Sequence, residues 1–183
     1  MHIVDVVIPV IWVLFWVYWI AASIGTKATQ TRSASYVGVR VVIIIAIAIV
    51  IRTSVSGHRA TSIDNPWLEG IGLAVFLSGL GEALWARRYL GRNWGTPMSQ
   101  KVEPELVTSG PYRYVRHPIY SGIIVGMIGT ALAISPYWFV AVLLLGGYFI
   151  YSSVVEEHNM ERTFPDTYPA YKRSTHMLVP FIF

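Results

Sequence analysis

Residues 118–157 read PIYSGIIVGMIGTALAISPYWFVAVLLLGGYFIYSSVVEE. Two apolar runs, Ile119–Ile134 and Tyr137–Val155, are separated only by Ser135 and Pro136. A helix needs roughly 20 apolar residues to cross the hydrocarbon layer of a bilayer, so the second run spans comfortably and the first is short. The short run starts inside the membrane rim at Pro118 or crosses with its partner as a tight hairpin. Either way, the polar residues before Pro118 and those after Val155 come back to the same membrane face.

Working outward, three further apolar stretches precede the hairpin: Ile3–Ile24, Val37–Ile51 continuing to Ser56, and Pro66–Tyr89. With 54% hydrophobic and only 13% charged residues among 183, the chain has too little polar surface to cover a soluble globule. The expected fold class is therefore all-α, a polytopic membrane helical bundle of about five transmembrane helices with a cytosolic C-terminal cofactor-binding region. One membrane domain, 1–183, divides into three N-terminal spans (1–89) and a loop, hairpin and tail (90–183). The first span reads as a retained anchor, not a removed signal.

With five spans and the N-terminus outside, twelve of the fourteen basic residues fall on the inner side and only Arg52 and Arg59 outside. That asymmetry orients the chain. It also accounts for the formal net charge of +4 through the anionic inner leaflet, so no nucleic-acid partner is expected. The absence of cysteine removes disulfides, thiolate nucleophiles and thiol-based metal sites, and no metal is expected.

Gly122, Gly126 and Gly129 would let a neighbouring helix approach closely, and Gly146-Gly147 on the following span is the expected neighbour. Trp12, Trp16 and Trp19 form a stripe read as packing or interfacial anchors. Glu82 is an acidic residue within a span, a candidate for function or for an interhelix bond.

The chemistry concentrates at the mouth of the hairpin. In SGPYRYVRHPIYSG, 109–122, Pro111 and Pro118 stiffen the backbone and Gly110 permits a tight turn. The free N–H groups at the helix start, with His117 beside them, favour a carboxylate or phosphate. Glu156 and Glu157 lie at the far end of the hairpin, and adjacent helical residues point about 100° apart. Glu156 shares a face with Met160 and is expected to look inward; Glu157 lies with Glu161 and is expected to be solvated. A carboxylate for an ammonium, an imidazole and helix start for a carboxylate, and tyrosines for an adenine face or a sulfonium together suit S-adenosylmethionine.

These residues also carry a resemblance. LGRNW (90–94), LVTSGPYRYVRHPIYSG (106–122) and EEHNMERTFPDTYPAYKRSTHMLVP (156–180) resemble the isoprenylcysteine carboxyl methyltransferase and phospholipid methyltransferase superfamily over residues 90–180. The resemblance implies a membrane helical bundle that binds S-adenosyl-L-methionine at its cytosolic side. It implies cofactor contacts from Glu105, Leu106 and Val107 through backbone, from Tyr112, His117, Pro118 and Tyr120, and from Glu156 at the amino-acid end. Ser99 or Gln100 would approach the nucleoside.

Departures bear on the acceptor. Members that methylate prenylcysteine carry an arginine where this chain has Ser152, the position expected to meet the substrate. The usual basic residue three before the final proline is Met177, and the customary Phe-Gly is Phe164-Pro165. A carboxylate acceptor needs no base, whereas an amine or hydroxyl acceptor does, with His117 or Glu157 as candidates. The resemblance thus implies methyl transfer to a lipophilic small molecule, a lipidated substrate or a membrane lipid. It is isoprenylcysteine carboxyl methyltransferase-like, or alternatively a phospholipid or amine N-methyltransferase. Two rivals are an NADPH-dependent membrane reductase, which would want extra cations for the 2′-phosphate, and a non-catalytic membrane scaffold.

Overall fold

The computed structural model describes residues 2–31 and 63–178. Among them lie five α-helices: α1 (Val4–Ser23), α2 (Pro66–Leu90), α3 (Pro118–Ala133), α4 (Trp138–Thr163) and α5 (Tyr168–Ser174). The sequence-predicted span from Val37 falls outside the described residues. Helices α1, α2 and α4 are long and apolar enough to cross a membrane, and α3 is a shorter apolar helix. Apart from a two-stranded antiparallel ribbon, β1 (Thr29–Thr31) with β2 (Gln100–Lys101), the described residues are helical or in turns and loops.

Local chemistry sets the helix ends. The Asn65 side chain accepts the N–H groups of Trp67 and Leu68 at 3.0 and 3.4 Å, and Pro66 occupies the first helical position, where no N–H is needed. α2 stops at Gly91, whose φ of +53° is open to glycine. Pro118 opens α3 in the same way. The second long helix of the hairpin continues past the apolar run to Thr163, which places Glu156 and Glu157 on a rigid helix instead of in a tail.

α3 is the centre of the packing. Its glycines meet α2 and not α4: a Cβ on Gly129 would lie 2.2 Å from Phe76 N, and one on Gly79 would lie 2.3 Å from Gly126 N. The two backbones are in contact, as small-residue helix pairs in membranes allow. This corrects the expected partner, because Gly146 and Gly147 face open space. A Gly129→Ala change is expected to lower thermal stability in detergent by about 1–3 kcal/mol through overpacking. Gly147→Ala, with nothing to strike, is expected to leave it within about 0.5 kcal/mol.

The tryptophan stripe ties α1 to this pair. Trp12 Nε1 donates to Thr130 Oγ1 of α3 at 3.1 Å and its ring lies 5.5 Å from Phe76 of α2, while Trp19 is buried and packs edge-on against Trp94. Elsewhere α1 presents Val10, Val13, Val17 and Ile20 outward, the apolar surface a lipid-facing helix carries.

Candidate active site

At the end of the bundle where α2 stops and α3 begins, the helices and the 93–107 loop enclose a cavity of ≈ 480 Å³. One side is apolar, with Trp16, Trp19, Ile119, Ile123 and Phe149; the other carries Asn93, Ser99, Glu105, His117 and Glu156. Glu156 stands where the hairpin argument put it. Its Oε2 lies 3.5 Å from His117 Nδ1, so the imidazole at the start of α3 and the first acid near the end of α4 meet at one wall. The other oxygen, Oε1, accepts the Tyr120 hydroxyl at 2.6 Å and the Met98 N–H at 2.9 Å. Tyr120 is stacked between His117 and Phe149, with ring centroids 5.5 and 4.4 Å away, which fixes its hydroxyl toward the acid.

Glu157 does not behave as its helical face suggested. It is 3% exposed, with Arg116 Nε at 2.6 Å, Lys172 Nζ at 3.0 Å and His117 Nε2 at 3.6 Å. The side of α4 that would have faced water is covered by α5 and the segment after it. Lys172 of α5 also bonds Glu161 at 2.9 Å, and its ammonium is held above the usual lysine range by the Glu161 and Glu157 bonds. Arg116 further donates to the carbonyls of Lys172 and Thr175.

The backbone completes this strap. The Arg116 and His117 N–H groups donate to His176 O and Met177 O at 2.8 and 3.1 Å, and Ser121 Oγ donates to Leu178 O. Tyr171 Oη bonds the Tyr112 carbonyl at 2.7 Å, and burial pushes the Tyr112 phenol well above its ordinary range. His117 is thereby held from both sides of the chain.

At the mouth, the segment after α1 reaches across the loop. Lys27 Nζ donates to Glu105 Oε1 at 2.9 Å and Asn93 Nδ2 to Oε2 at 3.2 Å, holding the Glu105 carboxyl below its ordinary range. Three buried polar atoms of cavity-lining residues, Asn93 Oδ1, Ser99 Oγ and His117 Nε2, have no hydrogen-bond partner among the described residues. Buried polar groups are normally bonded, and these three are exceptions among the residues around the cavity.

Of the residues expected at the site, Glu105, Leu106, Val107, Tyr112, His117, Tyr120, Glu156 and Ser99 line the cavity. Pro118 is buried behind it as the first residue of α3, and neither Glu157 nor Ser152 lines it. Ser152 is 0% exposed, on a face of α4 turned into the bundle. Sequence reasoning missed Met98, Lys27 and the C-terminal strap. The complementary charges Arg116 and Glu157 were the one signal that could have found the last.

A family model described as "Phospholipid methyltransferase" matches residues 68–167. The chain is 30% identical over 139 residues to the nickel-cobalt-cadmium resistance protein NccN of Alcaligenes xylosoxydans xylosoxydans, covering 74% of this chain and 62% of the relative. It is 29% identical to protein-S-isoprenylcysteine O-methyltransferase B of Arabidopsis thaliana, covering 63% of this chain and 61% of the relative. The chain thus spans about three fifths of the length of these relatives. Among solved structures, the eukaryotic intramembrane Ras methyltransferase ICMT (isoprenylcysteine carboxyl methyltransferase) matches with a TM-score of 0.58 and 25% identity, over 83% of this chain and 54% of that one. With its apolar helices, its cavity at their polar end and a family match across more than half its length, the chain is an integral membrane protein that belongs to the phospholipid methyltransferase family.

Proposed function

We propose that the protein is a methyltransferase that uses S-adenosylmethionine to methylate a lipophilic acceptor, in the manner of isoprenylcysteine carboxyl methyltransferases. The observation that carries this is the Glu156 carboxylate in the cavity wall, with one oxygen bonded by Tyr120 and Met98 and the other on the His117 side. Glu156 fits the ammonium of the amino-acid end of S-adenosylmethionine. When bound, S-adenosylmethionine supplies an electrophilic methyl group on a sulfonium sulfur.

The chain's own residues then have separable tasks. Glu156 binds, and the stack of His117, Tyr120 and Phe149 holds the wall around it rigid. Trp16, Trp19 and Ile123 form the apolar wall from which a lipophilic acceptor would approach, keeping water out of the reacting space. His117 lines the cavity, which supports it over Glu157 as the base an amine or hydroxyl acceptor would need. Glu157, occupied by Arg116 and Lys172, supports His117 from behind and is not the base.

The cytosolic face and an outside N-terminus agree with the gathering of Arg87, Arg92, Lys101, Arg116 and Lys172 at the cavity end of the bundle. A second reading, methylation of an amine lipid, is favoured by one feature: where the resemblance expects an arginine for a carboxylate acceptor, this chain has Ser152, buried in the bundle and outside the cavity. The rival dinucleotide reading is disfavoured because, among the described residues, the lysine and the arginine that line the cavity are already engaged, Arg116 by Glu157 and Lys101 by the Lys27 carbonyl at 2.7 Å.

Labelled methyl transfer from S-[methyl-³H]adenosylmethionine, screened over prenylcysteine analogues, amine-headgroup phospholipids and lipophilic thiols or phenols, tests the proposal. Label is expected in a lipid-extractable product of one class. Label in none of them, from protein that binds S-adenosylhomocysteine, would contradict transfer to a lipophilic acceptor.

A further inference from the structure

Met98 has a φ of +61°, in the left-handed region that side chains other than glycine enter only at an energetic cost. Its turn, Thr96-Pro97-Met98-Ser99, is closed by the Ser99 N–H donating to Thr96 O at 3.0 Å. Proline in the second place and a left-handed residue in the third is the arrangement of a type II turn, where glycine is usual in the third place. The amide of that third residue makes no bond within the turn. Met98 sends it outward, to Glu156 Oε1 at 2.9 Å.

The same oxygen accepts the Tyr120 hydroxyl at 2.6 Å, so two protein donors converge on Oε1 while Oε2 stays on the His117 side. Met98 is 4% exposed and does not itself line the cavity, although Pro97 and Ser99 on either side do. A strained backbone at a functional site persists where its surroundings hold it, and here it aims one amide at one carboxylate oxygen.

We propose that Met98 is a positioning residue: the left-handed amide of the 96–99 turn, together with the Tyr120 hydroxyl, clamps Oε1 of Glu156 so that Oε2 is presented to the ammonium group of the methyl donor. This rests on the reading of Glu156 given above. A carboxylate on the last turns of a helix has several rotamers, and fixing one in advance removes that freedom before binding. Proline before Met98 narrows the turn further.

The test uses two probes on detergent-purified protein. S-adenosylhomocysteine carries the ammonium end, and 5′-methylthioadenosine has the same nucleoside without it. Met98→Pro abolishes the N–H and forbids a positive φ. It is expected to weaken S-adenosylhomocysteine about tenfold or more, the scale of a hydrogen bond to a charged group, and to leave 5′-methylthioadenosine within about twofold. Met98→Gly, which keeps the amide and favours the left-handed backbone, is expected to bind S-adenosylhomocysteine within about threefold of the parent. Met98→Val, disfavoured at positive φ, is expected to bind it more weakly than Met98→Gly.

If Met98→Pro does not fold, the glycine and valine variants decide alone. The proposal is overturned if Met98→Pro binds S-adenosylhomocysteine as the parent does, if it loses both probes in equal proportion, or if glycine at this position binds no better than valine. Parent-like binding of S-adenosylhomocysteine by Glu156→Gln would instead overturn the underlying assignment of Glu156.

Discussion

Exchanging Glu156 for glutamine is expected to weaken S-adenosylhomocysteine binding by at least about 30-fold, the equivalent of the 2 kcal/mol or more lost when one partner of a buried hydrogen-bonded charge pair is removed. Glutamine keeps the shape of the side chain and an oxygen for the Tyr120 and Met98 donors. What it loses is the negative charge beside His117. The fold should therefore survive, and binding of 5′-methylthioadenosine should change little. Calorimetric titration of both ligands checks this, and equal affinity of parent and variant for S-adenosylhomocysteine would contradict the role of Glu156.

The second large effect is expected at Arg116. Its side chain is 8% exposed and faces a Glu157 side chain that is 4% exposed. Breaking such a buried pair from one side typically costs about 3–5 kcal/mol, because a charge is left without compensation. Arg116→Met should fall near the lower end, since Lys172 stays 3.0 Å from Glu157. It should also release the strap, because the bonds to the Lys172 and Thr175 carbonyls go with the guanidinium. The double variant Arg116→Met/Glu157→Met removes both charges and should recover part of the lost stability, as apolar replacements of buried pairs commonly do. Thermal unfolding in detergent of the two single variants and the double variant measures the coupling. A double variant no more stable than Arg116→Met would show that the pair is not the source of the loss.

The hairpin was legible because its reading needs only local facts: two apolar runs, two residues between them, and the alternation of membrane faces that follows. That was enough to bring His117 and Glu156 together from positions 39 apart in the chain. The partner of the α3 glycines was not legible. Small residues at helical spacing say that a backbone can approach, and Gly72, Gly79 and Ala83 of α2 form the complementary surface as readily as Gly146 and Gly147 do. Only the tertiary arrangement chooses between them.

Glu157 failed for a related reason. The helical wheel separated it correctly from Glu156, but whether its side faces water depends on where a short helix that begins eleven residues later folds back, and Lys172 and Arg116 supply that answer. Met98 escaped because left-handed backbone is normally signalled by glycine or asparagine. A methionine there gives no warning except the proline before it. The contact of Lys27 with Glu105 joins residues far apart in the chain, through a ribbon too short to leave any periodic signal.

The most direct test of the central claim is a titration of the unmodified protein, purified in detergent, with S-adenosylhomocysteine and separately with NADPH. Saturable one-to-one binding of S-adenosylhomocysteine, displaced by S-adenosylmethionine and not by NADPH, is the predicted result. No binding of S-adenosylhomocysteine, or NADPH binding that it cannot displace, would contradict the account.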